Sequence, residues 1–274
     1  MSHPIHLFWT SGWDSTYRLL YLTFVCKQTV QPIYIVENKG RASVNVEMQT
    51  MDFIYQEIKK KDPETAKLIR PTIYKQLTEI QIDDEISDAY ERITKKLSLG
   101  GQYVYLASYA KNSDFNNIEL CIERLCISRQ DSIFELLSPL TVEFKKRGFK
   151  NYRMSEINQD KPAYKIFGRF DFPLIFQTKS EMRDKAKGYG FIDILKDTWF
   201  CHSPLPGNIP CGVCPPCCYA IEDGFTWRFP EESLKRYKKS IKRRIYFTLK
   251  KQPLIFWCLR HVKGFLQGKK SVVD

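Results

Sequence analysis

The amino-acid sequence predicts an α/β fold, a mostly parallel sheet covered on both faces by helices. Three observations point there. Short apolar, β-branched runs recur at residues 5–9, 32–36 and 118–122, each the length of a buried strand. Longer segments with apolar residues at helical spacing separate them. No internal repeat, low-complexity tract or Gly/Ser linker breaks the alternation.

Taken in order, residues 5–9 read as the first strand and 14–22 as the helix after a tight turn. Residues 32–36 are expected as a parallel neighbour. Val46, Met51, Ile54 and Ile58 set the spacing of a helix over 44–60. A short apolar piece near Ile73 precedes helical patterns at 86–97 and 103–110. The run 118–122 is the next strand, 132–147 is expected as a helix and 170–176 as extended chain. Thr178-Lys179-Ser180-Glu181 has the spacing of a capping box, in which hydroxyl and carboxylate each satisfy a backbone N–H of the first turn. Gly188 or Gly190 supplies the stop. The chain is thus expected to hold a main domain over 1–200, a cysteine segment over 201–224 and a basic, helical extension over 225–274.

With 274 residues, 43% hydrophobic and 27% charged, the chain can bury a sizeable core. The opening MSHPIHLFWTSG lacks a positive leader and a long apolar run, and the late apolar run 253–259 is too short to cross a bilayer. A cytoplasmic setting is therefore expected. The net charge of +12 is uneven: from Arg228 onward fourteen basic residues face only Glu231, Glu232 and Asp274, so the tail carries +11. Charges there interleave with Tyr237, Ile241, Ile245, Phe247 and Leu249 at helical spacing, up to Pro253. Such a strip suits a helix docked on the core, a surface for nucleic acid or an anionic protein partner, or an interfacial membrane contact.

Cys201, Cys211, Cys214 and Cys217 stand in the pattern C-x9-C-x2-C-x2-C, with Gly212, Pro215 and Pro216 bending the chain between them. Four soft thiolates on a tight knuckle meet the tetrahedral demand of Zn²⁺, and four protein ligands leave no open position, so the site is expected to be structural. Nine cysteines, an odd number without a secretory leader, favour metal over disulfides or inert buried thiols. Cys218 and His202 are adjacent spares.

Thr10-Ser11-Gly12-Trp13-Asp14-Ser15 lies between the first strand and its helix, where backbone N–H groups and the helix dipole favour a phosphate. Gly12 permits close approach, and the hydroxyls of Thr10, Ser11, Ser15 and Thr16 add donors. A Walker lysine is absent. A hydroxyl-rich start to an ordinary helix has the same appearance.

This loop resembles the S-G-G-x-D-S loop of the ATP pyrophosphatases, the PP-loop family, whose fold is a Rossmann-like parallel sheet. FPLIFQTKSEM resembles that family's P-L-x-x-x-T-K-x-E-[IM] run, and TWFC…PCGVCPPC resembles the W-S-C-Y…P-C-G-x-C-x-x-C zinc signature of the 7-cyano-7-deazaguanine synthases. The three motifs follow in order over about residues 4–224, and the chain is identified as a divergent member of that synthase family.

The resemblance implies an ATP-dependent ligase that adenylates 7-carboxy-7-deazaguanine and converts it with ammonia to the amide and then the nitrile. It implies ATP, Mg²⁺ and Zn²⁺ as cofactors, and a homodimer. Thr10, Ser11, Gly12, Trp13, Asp14, Ser15 and Thr16 would cradle the triphosphate, with Asp14 placing Mg²⁺. Ile35 and Val36 would approach adenine, Arg41 would meet phosphate or carboxylate, and Lys179 would reach a phosphate. Gln102 and Asp131 would meet the deazaguanine, though Asp131 also suits the cap of the following helix and Arg41 a solvated surface.

Departures are local. Ser11 replaces the family's first Gly and can cradle phosphate with a negative φ; Trp13 either walls the pocket or packs as core. The family's substrate stretch reads CIERLCISRQDSIFELL, and Ala220 replaces an Arg. With the basic tail, these departures open a second reading: transfer of the activated deazaguanine to an amine on a protein or nucleic acid, as for relatives in anti-phage defence operons. A catalytically silent nucleotide-binding scaffold is the third.

Overall fold

The computed structural model describes residues 3–38, 41–115, 117–124 and 132–240. Asp131 and the tail from residue 241 therefore lie outside the described residues, as do Lys39 and Gly40. The chain divides into two compact units, Met1–Phe200 and Cys201–Asp274. Among the described residues no helix is long and apolar enough to cross a membrane.

The first unit is built on seven strands: β1 (Ile5–Phe8), β2 (Val30–Val36), β3 (Ile73–Gln76), β4 (Ile118–Glu119), β5 (Thr141–Lys146), β6 (Phe149–Met154) and β7 (Phe170–Asp171). Their order across the sheet is β3-β2-β1-β4-β7-β6-β5. The first five in that order run parallel, and β6 and β5 complete the sheet antiparallel. Winding leaves β1 toward β3 on one side and resumes at β4 on the other. Open α/β sheets bind ligands outside the carboxyl ends of the strands at such a reversal.

Nine helices accompany the described strands: α1 (Trp13–Leu20), α2 (Val44–Lys61), α3 (Pro63–Ala66), α4 (Asp84–Thr94), α5 (Gln102–Asn112), α6 (Ser132–Leu137), α7 (Pro162–Phe167), α8 (Lys179–Gly188) and α9 (Ile192–Lys196). Period-two alternation sends the side chains of each strand to opposite faces. Phe8, Ile33, Ile35, Ile118 and Phe170 build a core with Ile86 and Ala89 of α4, Ala107 and Ala110 of α5, and Ile166 and Phe167 of α7. On the other face Tyr34 reaches Glu47 of α2, and Glu119 reaches Arg18 of α1. Helices therefore cover both faces. The capping box at the start of α8 is complete: Thr178 accepts from the Glu181 N–H, and Glu181 accepts from the Thr178 N–H.

Three expectations fail in whole or in part, the first being the strand over 118–122, which is a strand only at Ile118–Glu119. The helix expected over 132–147 ends at Leu137; a single 3-10 turn over Ser138–Leu140 follows, and the rest becomes the β5–β6 hairpin. Pro139 removes a donor that a continuing helix needs. Arg147 and Gly148 both take positive φ, 52° and 87°, the backbone of a tight turn whose twist matches antiparallel strands. The extended chain expected over 170–176 is a strand only at Phe170–Asp171, beyond which it turns.

The second unit holds a loop with the four cysteines, α10 (Pro215–Glu222) and α11 (Glu231–Lys239). Pro215 and Pro216 open α10, where no intrahelical donor is lost. Helix α11 buries Ser233 and Tyr237, which bond to the Pro210 carbonyl and to Glu222. The described start of the basic tail thus docks its less polar side within its own unit.

Candidate functional site

The loop after β1 is tied down from several sides. The Trp9 indole donates to Thr16 Oγ1 at 2.9 Å, so this hydroxyl is engaged in the core. The Thr10 N–H donates to Ser15 Oγ at 3.4 Å, and the Trp199 N–H to the Ser11 carbonyl at 3.0 Å. Thr10 is exposed, Ser15 is buried, and Gly12 caps α1 in an extended conformation with φ −70°. The φ at 12 is open to any residue, and a Cβ there would stand 3.3 Å from the hydroxyl of the exposed Thr10, which would have to give slightly.

The left-handed position is Ser11, at φ 56°. This corrects the expected negative φ: position 11 takes a backbone that glycine adopts without strain. The cost to a non-glycine residue is about 1–2 kcal/mol. Ser11 is fully buried, and its Oγ has no hydrogen-bond partner among the described residues. Trp13 is 3% exposed and packs as core rather than standing open as a wall.

Asp14, at the start of α1, meets Lys179, at the start of α8, with Nζ 3.4 Å from Oδ1. The same ammonium pairs with Glu123 Oε1, on the segment leaving β4. Three chain segments thus converge beside the strand reversal, because β1 and β4 are sheet neighbours and the Arg124 N–H binds the Gln177 carbonyl at 2.9 Å. Glu123 was not picked out from the sequence. Its side chain is only 10% exposed, and its Oε2 is buried with no hydrogen-bond partner among the described residues, whereas Asp14 Oδ1 is ion-paired with Lys179. A buried carboxylate oxygen of this kind can ligate a hard cation.

Elsewhere the expected residues are dispersed. Ile35 and Val36 are buried at the carboxyl end of β2, Ile35 in the α5 core. Arg41 commits Nε and Nη2 to Glu47 Oε1, at 3.1 and 2.8 Å, and Tyr34 donates to the other Glu47 oxygen at 2.8 Å. Burial works against the Arg41 charge, but Glu47 outweighs it and raises the guanidinium pKa. On α5, Tyr105 is pushed up to about 12 by burial and by Glu37. Gln102 is exposed at the first residue of α5. The structure brings together Asp14 and Lys179 with the loop; it does not draw Arg41 away from Glu47.

In the second unit Cys201, Cys211, Cys214 and Cys217 are all buried, with their sulfurs within 4.8 Å of one another. Two of the separations, Cys211–Cys217 and Cys201–Cys214, are 3.9 Å. Four thiolates at tetrahedral zinc distance stand about 3.8 Å apart. Backbone N–H groups of Cys211, Val213 and Cys214 point at Cys201 or Cys211 sulfurs, at 3.2 to 3.4 Å, and so favour thiolates. Gly212 takes φ 76°, and a Cβ there would lie 2.2 Å from the Ser233 carbonyl oxygen. Hydrogen bonds from Cys201 and Cys217 pull Cys214 down, while Cys201 is pushed up to about 12 by the Cys214 thiolate. Four buried sulfurs this close together can hold a metal ion such as zinc. Cys218 turns outward from this set and donates to the Val213 carbonyl at 3.6 Å. Comparison with known proteins finds no family model, no curated protein and no solved structure that matches this chain.

Proposed function

We propose that the chain is an ATP-dependent ligase of the PP-loop kind, acting on the carboxylate of 7-carboxy-7-deazaguanine or a close analogue. The observation that carries this reading is the meeting of Asp14, Glu123 and Lys179 beside the strand reversal, from positions 165 and 56 residues away from the lysine. The motif resemblance supplies the substrate class.

A carboxylate oxygen is too poor a leaving group for amide formation. In the proposed reaction it attacks the α-phosphorus of ATP, the bond from that phosphorus to the bridging oxygen breaks, and pyrophosphate departs. Ammonia then attacks the acyl carbon, AMP leaves, and the surplus proton passes to solvent. A second adenylation, on the amide oxygen, followed by loss of AMP and a proton, yields the nitrile. Lys179 counters charge on the departing phosphates, while Ser15 and the backbone N–H groups opening α1 hold them. Mg²⁺, held from Asp14, would offset the triphosphate charge. Zn²⁺ on the four cysteines would serve to fold the second unit rather than to react.

Asp14→Ala and Ser15→Ala should each lower AMP formation roughly 100-fold or more while leaving the circular dichroism spectrum intact. The reaction is read by mass spectrometry after incubation with ATP, Mg²⁺, 7-carboxy-7-deazaguanine and ammonium. A nitrile product supports the synthase. The concentration of fourteen basic residues after position 227 favours a second reading, in which the acyl group passes to an amine on a protein or nucleic acid. AMP formation that requires such an acceptor identifies it; ATP binding without AMP under any condition leaves the silent scaffold.

A further inference from the structure

We propose that a cavity beside α1, β6 and α8 binds a nucleotide, its base stacked on tyrosine rings and its phosphate held by Arg18, Lys150 and Lys185. The cavity measures about 370 Å³, inside the roughly 300–1,000 Å³ range of small-molecule sites. No residue of the loop after β1 lines it, and neither does Lys179, so it is separate from the ligase machinery proposed above and does not rest on that reading. Two aromatic groups line it. Tyr17 and Tyr21 have rings stacked 14° from parallel, and Tyr189, at the end of α8, stands 5.7 Å from Tyr21. Tyr152 of β6 and Phe176 after β7 meet edge to face at 4.7 Å. Tyr189 is 42% exposed and Phe176 36%, which leaves ring surface for a further planar partner.

Charge narrows the ligand further. Arg18, Lys150 and Lys185 line the cavity against a single acid, Glu181, whose carboxylate accepts from the Thr178 N–H at the cap of α8. Arg18 is 2% exposed, with Nε and Nη2 on Glu119 and Nη1 without a hydrogen-bond partner among the described residues. A buried cationic donor with spare capacity favours an oxyanion. The Lys150–Glu143 pair joins two side chains that are both more than half exposed, so it exchanges cheaply for a phosphate. Lys185 is exposed and donates to the neutral Gln177 at 2.9 Å. Stacking rings interleaved with basic groups hold nucleotides whatever their base. The same three charges disfavour a cation, and the buried guanidinium disfavours a purely apolar ligand.

Two probes test the site on the full chain. The four nucleoside 5′-monophosphates are titrated by calorimetry, and a fluorescein-labelled hexauridylate RNA is followed by fluorescence anisotropy. Tyr189→Ala and Lys185→Gln should each weaken binding about tenfold, whereas Tyr189→Phe keeps the stacking face and should stay within about twofold of wild type. Circular dichroism reports on folding, and the exposed Lys185 decides the matter even where Tyr189→Ala is unstable. Binding of the monophosphates alone, lost in these variants, identifies a free nucleotide as the ligand. Tighter binding of the RNA, lost in the same variants, identifies a nucleotide within a strand. Binding that survives both substitutions belongs to the loop after β1 or to the basic tail and overturns the proposal. Failure of both probes to bind at millimolar concentration overturns it as well. Loss of AMP formation with cavity binding intact would count against the ligase reading alone.

Discussion

Arg18 and Glu119 show at the level of single residues what the first unit invests in its centre. Arg18 Nε and Nη2 donate to the two Glu119 oxygens, each at 2.7 Å, and Asn151 adds a third bond at 2.9 Å. Neither charged side chain is more than 3% exposed. Burial alone would depress the Arg18 pKa, yet Glu119 overcomes it and the guanidinium stays charged. Removing one partner strands the other, so Glu119→Gln should cost about 3–5 kcal/mol in urea unfolding. The double replacement Arg18→Met with Glu119→Leu should recover most of that loss; a double variant as weak as the single one would show that the pair is not the cause. None of this was legible in the sequence, because the partners stand 101 positions apart and each looks ordinary locally. Glu123 escaped for the same reason. Asp14 and Lys179 were legible only because each sits in a motif whose helix start can be recognised.

Elements with a local signature were read well, and those decided by distant packing were not. The capping box of α8 is written within four residues, and β1 and β2 within short apolar runs, so each appears near its expected place. The segment 132–147 carried two competing signals: apolar residues at helical spacing early, then alternation of Val142, Phe144 and the charged residues around them. The decisive cue was the pair Arg147-Gly148, whose positive φ values fold β5 back on β6. Gly148→Ala places a Cβ in open space but in a left-handed backbone, so the cost is conformational, about 1–2 kcal/mol. Gly188→Ala, in α8 and with equally open surroundings at a negative φ, should instead be neutral or slightly stabilising. Comparing the two in thermal unfolding isolates backbone strain from packing. Equal shifts in melting temperature would show that the hairpin does not depend on its turn.

At the scale of the whole molecule, the two units draw their stability from different sources. Met1–Phe200 has a sheet with apolar residues on both sides, whereas the described part of the unit beginning at Cys201 has two helices and a cysteine cluster. The spacing of those cysteines was legible because ligands on a knuckle are close in sequence. Their dependence on the glycine at 212 follows from the approach of the Ser233 carbonyl. A metal held by the four cysteines would help such a unit to offset the entropy of folding. Removing zinc with a strong chelator should therefore open the second unit to proteolysis after Phe200 while the sheet unit stays resistant, since none of the four ligands belongs to its core. Cys214→Ser should do the same without chelator, with bound zinc lowered well below one ion per chain. Mass analysis of the fragments checks both. Full resistance of the metal-stripped chain would mean that packing of α10 and α11 alone holds the knuckle, and the sulfur cluster would then be a binding site without a folding role. Joint collapse of both units would instead mean that the sheet, despite its own core, draws stability from the metal as well.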